Sequence, residues 1–414
     1  MNDLRNRRSG EAPSSSSLAG VRVLVTDANQ RAALASIRSL GASGCKVLTC
    51  DLARRTVGGV SRFADGYYQV PSPLAEPEDF ATAVEGLVAK HRIDVLLPIT
   101  EAALRATLPE PERFGSTVIP FPSSEIFERI SHKPTVLAAA ATIGILTPRQ
   151  RVVEVGSTRS RAEMAGELRF PLVIKPAESV TGSGVKRISQ RVSYAVDADD
   201  LAVKLQSFAA GSQVLLQERV VGPGTGVFVL RWNGEIKAGF AHLRLREKPP
   251  SGGVSTYARS IPIDSELWNG SVRLLERLGW QGVAMVEYKL DARTGMPFLM
   301  EINGRLWGSL QLAIDAGVDF PALLVAAALN HDRAPVTTYA VDRISRWFWG
   351  DVDQLLARLF KPANRLSGER GFTGRWRAMR EFVSWGGRAE RNDVFRWGDP
   401  LPFAVETVNW LLRR

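Results

Sequence analysis

The first third of the chain alternates short apolar runs with segments whose apolar residues recur at helical spacing. Three apolar runs are typical of buried strands: VRVLVTD (21–27), KVLTCD (46–51) and IDVLLPIT (93–100). TVIPF (117–121) is a weaker candidate for a fourth strand. RAALASIRSLGASG and FATAVEGLVAKHR lie between them and are typical of amphipathic helices. Strands that alternate with helices indicate right-handed βαβ units, so we expect an α/β domain with an open parallel sheet over residues 20–131.

From residue 132 the pattern changes to an α+β arrangement that continues to residue 330. HKPTVLAAAATIGI predicts one helix, and RFPLVIKPA (169–177) predicts a buried strand that ends in a lysine. QVLLQERVVG predicts the next strand, and Asn233-Gly234 predicts the turn of a long hairpin after it. VAMVEYKLD and PFLMEIN are two further strands, joined by a turn at Thr294-Gly295. The chain ends in a small, mostly helical region, residues 331–414, without a strong strand pattern.

Composition excludes several classes of protein. The chain has 414 residues, 45% of them hydrophobic and 23% charged, which is ordinary globular usage and suggests two to three domains. The sequence contains no run of about 18 apolar residues, so we expect no membrane-spanning helix. Residues 1–19 are basic and then rich in Pro and Ser, and predict a disordered leader rather than a secretory signal. Because Cys45 and Cys50 are the only cysteines, a disulfide framework is excluded and a cytoplasmic location is expected.

The basic charge concentrates at the C-terminal end. The net charge is +10, and residues 331–414 carry 15 Lys and Arg against 10 acidic residues, together with six of the ten tryptophans. We favour a helical cap that packs its tryptophans on the rest of the protein. Two alternatives remain open: stacking on RNA, or peripheral contact with a membrane through a segment such as FAVETVNWLLRR. DNA binding is not expected.

The N-terminal layer also allows a dinucleotide-binding interpretation, because Asp51 ends its second strand. However, its first turn reads TDANQRA and lacks G-x-G-x-x-G. Without those glycines the backbone cannot approach a pyrophosphate closely. A structural or substrate-lining domain is the better interpretation.

Two lone carboxylates in neighbouring strands carry the clearest chemical signal. Glu287 lies in VAMVEYKLD and Glu301 in PFLMEIN, and a hairpin places them side by side, where they repel each other. Asn303 shares a strand face with Glu301 and adds a third oxygen. Two carboxylates and an amide oxygen suit Mg²⁺, with Mn²⁺ as an alternative ion. The competing interpretation is that each acid pairs with a nearby Arg or Lys.

A lysine beside a Gly/Ser loop suggests a polyphosphate clamp. Lys175 ends a buried strand directly before the loop ESVTGSGV, whose bare N–H groups suit phosphate oxygens. The spacing differs from that of a P-loop, and flexible Gly/Ser hairpins are common. Lys133, ahead of a helix, is a weaker candidate because such lysines usually lie on the surface.

Six motifs along the chain resemble, in their order, those of the ATP-grasp superfamily. They are HKPT, VIKP, TGSGV, LLQERV, MVEYKLD and MEINGR. The resemblance covers about residues 20–330. The stretch EINGRLWGSLQLAIDAGVDFP most resembles the large subunit of carbamoyl phosphate synthetase and its standalone carboxylate–amine ligase relatives. It implies a pre-ATP-grasp domain over residues 20–131 and an ATP-grasp domain over residues 132–330. Two departures are Gly304, where the family usually has proline, and GPGTG (222–226) after the fourth motif.

The resemblance also implies roles for individual residues. Those implied to contact ATP are Lys133, Lys175, the loop residues Gly182, Ser183 and Gly184, and the adenine hinge Gln217, Glu218, Arg219 and Val220. Those implied to hold Mg²⁺ are Glu287, Glu301 and Asn303. Arg305 is implied to face the acyl phosphate or the acceptor, and Arg305 and Lys175 are the expected catalytic residues.

One further stretch, AHLRLREKPPSGGVS (241–255), lies outside the ATP-contacting motifs. Arg244 and Arg246 alternate with leucines, so we expect both to point to one strand face. An arginine pair can bind a carboxylate or phosphate through paired hydrogen bonds, which favours a substrate-binding role. A solvated strand face is the alternative.

The activity implied is ATP-dependent ligation. A substrate carboxylate attacks the γ-phosphate to give an acyl phosphate and ADP, and an amine, or a thiol, then displaces phosphate. The expected partners are therefore a small carboxylate and a small amine; neither their identities nor an oligomeric state is predicted. An ATP-binding protein without ligase turnover is the alternative from another class.

Overall fold

The computed structural model describes residues 18–156, 165–178, 180–181, 188–189, 192–250, 252–331, 333–360, 375–384 and 387–412. Most of the predicted leader, residues 1–17, lies outside this set, as does the loop segment 182–187.

The N-terminal layer is a four-stranded parallel sheet of order β3-β2-β1-β4 with helices packed against it. Its elements are β1 (Arg22–Val25), α1 (Arg31–Ala42), β2 (Lys46–Asp51), β3 (Gly66–Gln69), α2 (Pro77–His91), β4 (Val95–Leu97) and α3 (Glu101–Thr107). The predicted α/β layer is confirmed. The predicted strand 117–121 is reduced to a single parallel bridge between Val118 and Val95. Strand β3 was missed because GYYQ is half-exposed and not an apolar run.

Two helices lead into a second sheet, which is antiparallel and has the order β5-β10-β6-β9. These elements are α4 (Ser124–Ser131), α5 (Lys133–Thr142), β5 (Gln150–Glu154), β6 (Leu172–Pro176), β9 (Ser193–Ala195), α6 (Ala198–Leu205) and β10 (Gln213–Glu218). Between β6 and β9, the two-residue strands β7 (Val180–Thr181) and β8 (Ile188–Ser189) pair with each other. Strand β6 therefore ends where the predicted phosphate loop begins.

A seven-stranded sheet forms the centre of the molecule, with the order β15-β14-β11-β12-β13-β16-β17. Its strands are β11 (Gly224–Trp232), β12 (Glu235–Lys248), β13 (Val254–Ser260), β14 (Gly282–Leu290), β15 (Pro297–Asn303), β16 (Ile344–Arg346) and β17 (Glu390–Asn392). The helices between these strands are α7 (Ser265–Arg277), α8 (Leu310–Ala316) and α9 (Phe320–Ala328). As predicted, the β11–β12 turn is Asn233-Gly234, with left-handed φ values of 50° and 84°.

The C-terminal region contains α10 (Phe348–Phe360), α11 (Arg375–Val383) and α12 (Leu401–Leu412). It is mostly helical, as expected, and it also supplies β16 and β17, which the sequence pattern did not indicate. Each strand has only three residues, too few to show a period of two, and the two pair in parallel across a long stretch of chain. Through these strands the region extends the central sheet.

One continuous apolar core joins the N-terminal layer to the central sheet. It runs from Val25 and Leu40 to Trp280, Val286 and Trp307. Among the described residues, no single helix is long and apolar enough to cross a membrane; the bent pair α8 and α9, at 91°, meets that test only when counted together.

A buried carboxylate attaches the C-terminal region to the central sheet. Asp351, at the start of α10, is fully buried. It accepts two hydrogen bonds from Arg246 on β12, at 2.6 and 2.7 Å, and one from Arg346 on β16, at 2.8 Å. Charged groups removed from water need such partners to be tolerated, so Asp351 holds two strands and a helix together.

We therefore expect Asp351→Asn to lower the free energy of unfolding by about 3 kcal/mol or more, because the nearly buried guanidinium of Arg246 loses its counter-charge and Arg346 keeps only the more distant Glu390, at 3.7 Å. Urea unfolding followed by circular dichroism measures this change. Asp342→Asn is the matched control, since Asp342 is exposed and 3.6 Å from Arg259, and it should cost less than about 1 kcal/mol. Equal small losses in both variants would contradict the anchoring role.

Candidate functional site

A cavity of about 330 Å³ lies between the second sheet and the central sheet. Strands β6 and β10 supply one side, and β12, β14 and β15 supply the other. The structure brings most of the predicted site residues together in its lining: Lys175, Gln217, Glu218, Arg219, Val220, Arg244, Glu287, Glu301, Asn303 and Arg305. Gly182, Ser183 and Gly184 fall outside the described residues.

The two carboxylates lie directly opposite each other. In the antiparallel pair β14–β15, Glu287 is the register partner of Glu301. Asn303 donates from its side-chain nitrogen to Glu301 Oε1 at 3.1 Å. Strand alternation therefore aims three oxygen-bearing side chains into the same cavity.

Basic residues surround both acids, as the competing interpretation expected. Arg244 donates to both oxygens of Glu287, at 2.8 and 2.6 Å, and Lys133 Nζ lies 3.8 Å from Glu301 Oε2. Burial raises the pKa of Glu287, although the Arg244 guanidinium opposes this shift. Burial also acts to raise the pKa of Glu301, but the charges of Lys133 and Lys175 outweigh it and hold that pKa below its usual value.

The two lysines approach Glu301 from different elements. Lys175 is carried by β6, and burial lowers the pKa of its ammonium group while Glu301 acts in the opposite direction. Lys133 is the first residue of α5, and its backbone N–H donates to Ala177 O at 3.0 Å, just after β6. The start of the helix is thereby fixed against the strand that carries the other lysine.

The predicted hinge closes one end of the cavity. Gln217 donates to Gln150 Oε1 at 2.9 Å, and Glu218 Oε1 accepts from the Arg169 N–H at 3.0 Å. Both side chains are thus held by protein partners. Past the hinge, a Cβ on Gly222 would lie 1.7 Å from Leu290 O, so only glycine allows this close approach to the end of β14.

The expectation that Arg244 and Arg246 share a strand face is wrong. A bulge in β12 pairs Arg244 with Ala258 and Arg246 with the adjacent Tyr257, so Leu245 is an extra residue and the alternation is broken. Arg244 lines the cavity, whereas Arg246 binds Asp351 and lies over the Tyr257 ring at 3.8 Å. Arg246 is therefore removed from the candidate substrate-binding residues.

Some residues in the lining were not predicted. Lys289 lies two residues after Glu287 on β14, so alternation from the predicted acid was a signal that could have identified it. Glu247 accepts from Arg244 at 3.1 Å, and no local pattern indicates that contact. Tyr194 enters from β9, on the second sheet.

Gly304 stands where the resemblance leads us to expect proline, and this difference has a steric reason. A Cβ at this position would lie 2.4 Å from the buried indole of Trp280. Trp280 therefore excludes the larger residue that the resemblance leads us to expect after Asn303.

A family model described as "ATP-grasp in the biosynthetic pathway with Ter operon" matches residues 211–346. A D-alanine–D-alanine ligase of Ectopseudomonas mendocina is 30% identical over 199 residues, 45% of this chain and 60% of the relative. A formate-dependent phosphoribosylglycinamide formyltransferase of Synechococcus sp. is 30% identical over 143 residues, 34% of this chain and 33% of that relative. The aligned parts thus span one third to three fifths of these curated relatives.

The fold is similar to that of an N5-carboxyaminoimidazole ribonucleotide synthetase solved as an ADP complex. The TM-score is 0.62 at 19% identity, and the match covers 84% of this chain and 86% of that one. The closer resemblance to carbamoyl phosphate synthetase stays a prediction. The chain therefore shares its fold with this synthetase, and its central residues match an ATP-grasp family model.

Proposed function

We propose that the protein is an ATP- and Mg²⁺-dependent ligase that joins a carboxylate to an amine, or to a thiol, through an acyl phosphate. The observation that carries the proposal is the meeting of Lys175, the Glu287–Glu301 pair and Arg305 in one cavity. Its volume lies within the range of small-molecule and cofactor sites. The relatives named above include a ligase and a formyltransferase, which supports the same class of chemistry.

The nucleotide fits the cavity in one direction. Val173 and Val220 give the hinge side an apolar lining suited to adenine, and Met300, whose Sδ is 4.0 Å from Lys175 Nζ, lies nearer the lysine. Lys175 and Lys133 lie toward the carboxylates, where they would contact the phosphates. A buried lysine bound to phosphate recovers part of the cost of its own desolvation.

The donor set fits a hard divalent cation. Glu287 and Glu301 offer carboxylate oxygens from opposite register positions, and the Asn303 amide adds a neutral oxygen. Among the described residues, no group of three or more His, Cys, Asp or Glu could hold a metal, so phosphate oxygens and water would complete the shell. Both oxygens of Glu287 accept from Arg244, and Mg²⁺ at this carboxylate would share it with the guanidinium or displace it.

Arg305 is placed to stabilise the transferred group. It donates to Leu306 O at 3.1 Å and to Asn303 Oδ1 at 3.2 Å, and it forms no ion pair with a carboxylate of the described residues. When the substrate carboxylate attacks the γ-phosphate, the bond to the ADP oxygen breaks and an acyl phosphate forms. The amine then attacks the acyl carbon, phosphate leaves, and the amine loses a proton; the fixed positive charge favours both steps.

An assay of ADP release distinguishes the ligase from the rival proposal, which is ATP binding without turnover. A panel of small carboxylates, each with and without hydroxylamine as an acceptor that traps acyl phosphates, tests the proposed chemistry. Carboxylate-dependent ADP release with hydroxamate formation supports the ligase, and ATP binding without either product supports the rival.

Glu301→Gln should reduce carboxylate-dependent ADP release at least a hundredfold while the fold persists. The amide is isosteric but cannot neutralise Mg²⁺ or the two lysines. Steady-state assays at low millimolar Mg²⁺ measure the effect, with Glu235→Gln on the β11–β12 hairpin as a control that keeps full activity. Near-normal turnover in Glu301→Gln would refute the metal assignment.

Lys175→Ala should weaken ATP binding by about 2 kcal/mol, roughly a thirtyfold rise in Kd, because a charge-assisted contact to phosphate is lost. Isothermal titration calorimetry measures this directly. Lys237→Ala removes a lysine that pairs with Glu235 away from the cavity, and it should leave the affinity unchanged. Equal affinities in the two variants would place the phosphates elsewhere.

A further inference from the structure

A second, larger cavity of about 740 Å³ adjoins the first. Val254, Arg305 and Gly308 line both, so the two spaces meet at the guanidinium of Arg305. One wall is built by the carboxyl ends of β1 and β4, through Asp27 and Thr100. Open parallel sheets commonly bind ligands at this edge.

The opposite wall comes from the C-terminal region, beyond the residues that the family model matches. Trp347, Trp349 and Trp410 line the cavity together with Glu406 and Asn409. Trp349 stacks on Trp410 with ring centroids 4.1 Å apart.

The indole N–H groups of this wall are already engaged. Trp349 donates to Thr407 Oγ1, Trp410 to Asp353 and Trp347 to Glu406 Oε1, at 2.7 to 2.9 Å. The tryptophans therefore leave no indole donor free. Arg31 already lies over the Trp347 ring at 4.0 Å, so the ring surface left to a ligand is that of Trp349 and Trp410.

Most charges around this cavity cancel in pairs. Lys248 is bound to Asp353, and Arg31 to Asp393. Arg305 forms no ion pair within the described part of the chain, and it lies at the junction with the first cavity.

At the C-terminal wall, Glu406 is the exception to this pairing of charges. It has no ion-pair partner among the described residues, and its Oε2 is buried without a hydrogen-bond donor. Burial raises the pKa of Glu406, although the hydrogen bond from Trp347 and the charges of Arg31 and Lys248, each paired with an aspartate, oppose this shift. Among the described residues, the lining therefore has one cation without an ion pair, Arg305, and two such acids, Glu406 and Asp27. Both oxygens of Asp27 accept hydrogen bonds, whereas Glu406 Oε2 accepts none.

We propose that this cavity binds the carboxylate substrate of the ligase, and that this substrate also carries a protonated amino group, as in an amino acid or a short peptide. Its carboxylate lies at Arg305, facing the nucleotide cavity, and its ammonium group lies at the tryptophan wall and supplies Glu406 with a counter-charge. Ring faces and a carboxylate together are a suitable environment for an ammonium group. This inference rests on the proposed ligase function and adds a substrate class to it.

The first test compares matched probes in the ADP-release assay with the full chain, ATP, Mg²⁺ and hydroxylamine. The probes are L-lysine, 6-aminohexanoate, glycyl-L-leucine and L-alanyl-L-phenylalanine, each beside its N-acetyl derivative. We expect a free amino carboxylate to be turned over at least tenfold more efficiently, as kcat/KM, than its acetylated form. If the acetylated forms are equally good, the ligase function stands and the substrate class proposed here is wrong.

The second test is Glu406→Gln, which keeps an oxygen that can accept from Trp347 but removes the charge. KM for the best amino carboxylate should rise at least tenfold, while the KM for ATP and the melting temperature stay near those of the Glu235→Gln control. An unchanged KM would overturn the role of Glu406.

Binding without turnover provides an independent measurement. Each probe is titrated by calorimetry into the protein saturated with a non-hydrolysable ATP analogue. If no probe releases ADP, the ligase proposal fails. Even then, free amino carboxylates that bind Glu406→Gln more weakly than they bind the unchanged protein would support the cavity assignment. Equal binding of free and acetylated probes, or no binding of either, would overturn it.

Discussion

The repulsion between Glu287 and Glu301 is the constraint on which the rest of the site depends. Two carboxylates at opposite register positions, removed from water, cannot both be ionised without positive charge close by. The structure supplies that charge from three separate elements: Arg244 from β12, Lys175 from β6 and Lys133 from the start of α5. The same requirement makes the pair a suitable place for a divalent cation and for the phosphates that accompany it.

The C-terminal region meets the rest of the chain through buried ion pairs rather than through apolar packing alone. Asp351 binds arginines of the central sheet, Asp393 binds Arg31, and Asp399 binds Arg38 of α1. Some of the basic excess of the sequence is thus neutralised inside the molecule, and net charge alone is a poor guide to a binding surface. Trp376 and Trp397 are 83% and 89% exposed, so contact with a membrane or RNA stays an alternative to the favoured helical cap.

The motif order predicted most of the residues that meet in the first cavity, because each motif is local and strand alternation decides which side chains face inward. Glu287, Glu301 and Asn303 followed from a period of two on a hairpin. The same period failed at Arg246, since one extra residue at a bulge reverses the face and leaves no mark in a single sequence. The second cavity could not be predicted either, because Asp27, Arg305 and Trp410 meet only through tertiary packing.

Arg305 shows how local geometry can hold a cation that forms no direct ion pair with the described residues, although its charge still acts on Glu301. Gly304 allows the chain to pass against Trp280, and the next residue emerges where the two cavities meet. There the guanidinium donates to a backbone carbonyl and to the neutral Asn303 amide, and the described residues give it no ion pair. A partly buried cation with neutral partners costs free energy in the unliganded protein, and an anion that arrives beside it recovers this cost. The position thus favours a bound anion. On the proposed function, it would accelerate the reaction only as far as it binds the phosphoryl group in the transition state more strongly than it binds the substrate carboxylate.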